Sequence, residues 1–95
     1  MTNIHKIMCC CISGLGSSFI VEINVKKALK ELDREDIEVV HAGVNDVYKG
    51  AADLFVCSAD VYEICEKAGA TISLNTLTDY EEVKSKLADF FETHS

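Results

Sequence analysis

Cys11 stands directly before a run of small residues, Ile12-Ser13-Gly14-Leu15-Gly16-Ser17-Ser18, and this is where the chain can do chemistry. Glycines let a backbone fold back so that successive N–H groups converge, and a helix N-terminus beyond them adds partial positive charge. Such a loop cradles an anion. A thiol at the mouth of the same loop is held as thiolate by the same amides, and thiolate is the nucleophile. The donors that activate the sulfur would also hold the equatorial oxygens of a phosphoryl group passing to it. Ser13, Ser17 and Ser18 can add hydroxyl donors.

Taken apart from its neighbours, Cys11 would read as a small buried hydrophobe. Its place before the glycine-serine run makes it the candidate nucleophile. Cys9 and Cys10 lie within the preceding apolar segment and read as packing residues. Cys57 ends a later apolar run and reads as core filler with a supporting role open to it, and Cys65 sits on a helical stripe. Five thiols, three of them consecutive, do not form a disulfide framework and fit a reducing compartment. Adjacent strand residues point to opposite faces and no paired CxxC is present, so no metal site is expected, and no cofactor either. Gly14 and Gly16 alone could simply make a turn: the run lacks the third glycine of a dinucleotide fingerprint, and no Lys follows Gly16 as in a nucleotide P-loop. His41, Asn45, Asp60 and Lys49 are peripheral candidates, each more readily explained as a surface or capping residue.

The elements that must position Cys11 follow from pattern. Ile4 to Cys11 reads as a strand covered on both faces. Ser17 or Ser18 should cap a helix over Phe19 to Leu32, with Val21, Val25, Ala28, Leu29 and Leu32 inward. Ile37 to Ala42 and Asp53 to Cys57 read as strands, with a helical turn over Asp46 to Gly50 between them. Asp60 and Glu63 have capping-box spacing before a helix with Val61, Ile64, Cys65 and Ala68 inward, stopped by Gly69. Ala70 to Leu74 is a fourth strand. Thr78 and Glu81 form a second capping box, opening a helix that buries Tyr80, Val83, Leu87, Phe90 and Phe91. Strands alternating with helices predict a single α/β domain over residues 1–95, with a parallel sheet and helices on both faces. Ligands of such sheets sit beyond the carboxyl ends of the strands. There the Cys11 loop should meet residues 42–45, 57–60 and 75–78.

Bulk properties exclude other classes. A formal net charge of −7 argues against nucleic acid and against an anionic membrane surface. No stretch is long enough to span a membrane and no signal peptide is visible, so a cytoplasmic protein is expected.

From Cys11 to Ser18, with Phe19-Ile20-Val21-Glu22 following on the helix, the sequence resembles the IIB components of the bacterial sugar phosphotransferase system, the ascorbate class first and the galactitol class beside it. The likeness runs over essentially the whole chain in length and element order. It implies a fold similar to low-molecular-weight tyrosine phosphatases, with strand order 2-1-3-4. It implies that Cys11 is the phosphorylated cysteine and residues 12–18 the phosphate loop. It implies a phosphohistidine–sugar phosphotransferase that takes its phosphoryl group from a IIA partner. The group then passes to a sugar held by the membrane-embedded IIC transporter. Many members have Gly after the Cys, where this chain has Ile12. The rival of the same fold, a phosphatase or arsenate reductase, needs an Arg after Cys and five residues. That position holds Ser17, and the one Arg is Arg34. A non-catalytic phosphate-binding module is the other rival.

Overall fold

The computed structural model describes residues 4–11, 17–75 and 79–93. The elements run β1 (Lys6–Cys11), α1 (Ser17–Glu31), β2 (Glu38–Gly43), a 3-10 turn (Val44–Asp46), β3 (Leu54–Ser58), a second 3-10 turn (Ala59–Val61), α2 (Tyr62–Ala68), β4 (Thr71–Leu74) and α3 (Tyr80–Thr93). The four strands form one parallel sheet in the order β2-β1-β3-β4. This is the predicted order.

Because side chains alternate along a strand, the sheet feeds two separate apolar layers. Ile7, Cys9, Leu54, Val56, Ile72 and Leu74 pack with Val21, Val25, Ala28 and Leu29 of α1 and Val83, Leu87 and Phe91 of α3. Met8, Cys10, Phe55 and Cys57 face the other way, against Ala51, Val61, Cys65 and Ala68. β1 therefore alternates between two buried faces, which is why its sequence shows no polar alternation. Its amino end is fixed by Asp53, whose carboxylate accepts the His5 and Lys6 amides at 2.8 and 3.0 Å.

Most expected boundaries move by one or two residues. Ser17 and Ser18 are the first helical residues of α1 rather than its cap. The turn expected over Asp46 to Gly50 begins earlier, at Val44. Two further expectations fail. Asp60 does not cap α2: the helix starts later, at Tyr62, without a side-chain cap, and Asp60 instead accepts a hydrogen bond from the Ser58 hydroxyl. Ile64 is 46% exposed, because Val61, Cys65 and Ala68 already complete the narrow inward stripe of this two-turn helix. Thr78 lies outside the described residues, and at that helix start the Glu81 amide is bonded by Asp79.

The end of α1 shows why the chain turns where it does. Asp33 takes the left-handed conformation at φ 60°. The Arg34 amide reaches the Leu29 carbonyl at 2.7 Å and the Asp33 amide the Lys30 carbonyl at 3.2 Å, a Schellman closure with Asp in the usual glycine position. A left-handed L-residue is strained, and Asp tolerates it better than a β-branched residue. In chemical denaturation, Asp33→Val should cost about 1–2 kcal/mol and Asp33→Gly should cost nothing or stabilise. Equal losses in both variants would contradict this account.

Candidate active site

All four strands point the same way, so Cys11, Gly43, Ser58 and Leu74 end at one edge of the sheet. β1 lies inside the sheet, between β2 and β3. Cys11 is in register with Gly43 on one side, and Cys10 with Cys57 on the other, which puts Ser58 at the level of Cys11. From Cys11 the chain takes five residues, Ile12 to Gly16, to reach α1 at Ser17. Those five lie outside the described residues. The flanking geometry is a central strand feeding a helix whose N-terminus returns to the same edge, as the sequence predicted.

The peripheral candidates divide. Asn45 and Lys49 are exposed, in and just after the turn that follows β2. Asp60 is exposed and tied to Ser58 at the end of β3. His41 stays exposed but is tied to a partner that sequence reasoning missed. Its Nδ1 bonds the Glu22 carboxylate in the second turn of α1, and the other oxygen of Glu22 pairs with Lys26 at 2.8 Å. The Phe19 ring meets the His41 ring edge-on at 5.7 Å. Nothing local in the sequence joins Glu22 to His41; the packing of α1 beside β2 does.

Four cysteines are closed off from reaction. Cys9, Cys10, Cys57 and Cys65 are buried and unpaired by disulfide. Burial pushes the Cys9 thiol up, with the Glu22 charge adding to it. Cys10, Cys57 and Cys65 form one cluster under the strand ends. Hydrogen bonding to Cys65 and burial push the Cys10 and Cys57 thiols up. The same bonds pull Cys65 down against its own burial. The Asp60 charge adds to the rise at Cys57. Among the described residues no group of three or more His, Cys, Asp or Glu could hold a metal ion.

The family follows from the whole span of the fold. A sequence model of the lactose/cellobiose-specific IIB subunit of the phosphotransferase system matches residues 6–89, from β1 into α3. The chain belongs to the phosphotransferase system IIB family. That description names lactose and cellobiose. It supports a IIB component and does not support the expected ascorbate or galactitol class. A search of curated proteins found no match. IIB domains are phosphotransferases that work with IIA and IIC partners in sugar uptake. Among the described residues no helix is long and apolar enough to cross a membrane.

Two measurements check this site. Ellman titration of the native protein should show at most one fast thiol, with the four buried ones reacting only as the fold opens; two or more fast thiols would contradict the burial. The second concerns Glu22. Burial works against its charge, but hydrogen bonds and attraction from Lys26 and His41 outweigh it and hold the carboxyl below its ordinary value. A depressed folded pKa gives stability that is present above the unfolded value and lost as pH falls through the folded one. Glu22→Gln should therefore flatten the acid limb of the stability curve below about pH 4.5, the ordinary value of the group. An unchanged limb would show that the pairing is not felt.

Proposed function

We propose that Cys11 is the phosphoryl carrier of this IIB domain. Its thiolate attacks the phosphorus of a phosphohistidine on IIA; the S–P bond forms as the P–N bond breaks, and the imidazole leaves. A sugar hydroxyl bound by IIC then attacks the same phosphorus, losing its proton as the thiolate is released. The observation that carries this reading is the end of β1 at Cys11, inside the sheet, directly ahead of a five-residue link into the N-terminus of α1. In-line transfer between proteins needs such an edge position, open to a partner on one side and backed by amides on the other. Residues 12–18 are the proposed phosphate loop.

Hydrolysis is the disfavoured reading. Phosphatases of this architecture place an Arg fork over the phosphate, and here Arg34 follows α1 at its far end. A 15-residue helix puts it about 22 Å from the Ser17 turn. It is engaged there, with Nε donating to Asp36 at 3.4 Å and its guanidinium 5.0 Å from the Phe91 ring centre. Without that fork a thiophosphate ester waits for its acceptor. Exposed Phe19, Ile20 and Ile23 sit on the first two turns of α1, beside the proposed site, and suit brief docking of the phosphorylated IIA partner. A cytoplasmic location beside IIC follows from the same reading.

The test is incubation with phosphorylated IIA, followed by peptide mapping under conditions that preserve thiophosphate esters. Label is expected on Cys11 and absent in Cys11→Ser. Label on another residue, or none, overturns the assignment. The labelled protein, offered to IIC-containing vesicles with lactose, cellobiose, ascorbate or galactitol, then reports the sugar class. Release to lactose or cellobiose alone is the result that the family description favours, and release to ascorbate or galactitol alone would restore the class first expected.

A further inference from the structure

We infer that the His41–Glu22 pair is a positioning device for Cys11, setting how the N-terminus of α1 meets the carboxyl end of β1. The inference rests on the reading of Cys11 as the reacting sulfur. Three observations meet at this spot. His41 stands opposite Cys9 in the β1–β2 register, two residues short of Gly43, the partner of Cys11. Glu22 lies in the second turn of α1, and its carboxylate joins His41 on β2 to Lys26 on its own helix. Phe19, one turn earlier, packs edge-on against the same imidazole.

The physical need for such a device comes from the packing. α1 sits on the sheet through Val21, Val25, Ala28 and Leu29, and apolar burial has no direction. The Tyr80 hydroxyl and Lys84 bond Glu31 at the carboxyl end of α1, at 2.7 and 3.3 Å, but an amino-terminal half held only by apolar packing can slide or roll by fractions of an ångström at little cost. A charge-assisted hydrogen bond is directional and fixes one setting. The setting matters here because amides converging on a sulfur or a phosphoryl oxygen lose effect steeply with misplacement. The carboxylate also lies where its own charge disfavours a nearby anion. Lys26 offsets that charge from the oxygen that His41 does not bond, so Glu22 can anchor the helix with less repulsion of what the helix end is there to hold.

For Glu22→Ala charge and positioning predict opposite signs, which makes that variant the sharp one. Alkylation of Cys11 by iodoacetamide, read by peptide mapping across a pH series, reports how well the helix end stabilises the thiolate. The full-length chain is compared with His41→Ala, Glu22→Ala, the double variant and His41→Gln. Removing the Glu22 charge alone would speed alkylation at neutral pH. Loss of the brace slows it, by about threefold to tenfold in each alanine variant, as expected for roughly 1 kcal/mol of lost stabilisation. The limiting rate at high pH stays unchanged. The double variant is no slower than the slower single one, because both remove the same contact. His41→Gln recovers most of the rate through its amide N–H. Alanine variants that alkylate like the wild type, a Gln variant no better than Ala, or losses that multiply would overturn the inference. So would a lower melting temperature with an unchanged alkylation profile. None of these readouts needs phosphorylation: a wild type that alkylates as expected but takes no phosphoryl group sinks the relay and leaves the brace standing.

Discussion

The structure depends on the parallel pairing of β1 with two neighbours at once. Because β2 and β3 flank it, the end of β1 falls inside the sheet and not at its margin. Because helices cover both faces, every side chain from Ile7 to Cys10 is withdrawn from water. The strand end at Cys11 is thereby flanked by Gly43 of β2 and the end of β3. An edge strand would have left one side of that strand end without a paired neighbour.

Small sulfur residues are part of how this is achieved. Cys9 and Cys10 place compact, weakly polar side chains on opposite faces of the central strand, where Cys57 and Cys65 complete a tight cluster on the α2 side. A larger residue there would push α2 off the sheet, and a charged one would carry the cost of burial. The protein thus carries three thiols whose surroundings push them up, Cys9, Cys10 and Cys57, close to one proposed to work as thiolate. Environment, rather than residue type, separates the two roles.

Much of this was legible from sequence. The two-layer sheet was visible in β1, since an apolar run without alternation means burial on both faces. The order of strands and helices, with the inward stripes of α1 and α3, followed from periodicity. What was not legible depended on register. Nothing local ties His41 to Glu22, nineteen positions apart; the pairing of β2 with β1 does it. Asp60 and Glu63 had the spacing of a capping box, yet a 3-10 turn delays the helix past Asp60, which finds the Ser58 hydroxyl instead. Ile64 was misplaced for a related reason: a seven-residue helix buries a narrower stripe than a long one, so a residue beside the stripe is left outside.

Charge makes the last constraint intelligible. A protein of net charge −7 that handles a phosphoryl dianion cannot rely on its overall field. Attraction must be local and short-ranged, which suits main-chain amides and a helix end, whose influence fades within a turn. It also fits the pairing of Glu22, in the second turn of α1, with Lys26 through one carboxylate oxygen and with His41 through the other. A permanent guanidinium over the phosphate would be a simpler answer to the same electrostatic problem, but it would also stabilise the transition state for water. The cation of that kind in this chain sits at the other end of α1, bound to Asp36 and Phe91. A site that holds its anion by amides alone binds the phosphoryl group without favouring its hydrolysis, and that distinction is what a carrier, as opposed to a phosphatase, requires.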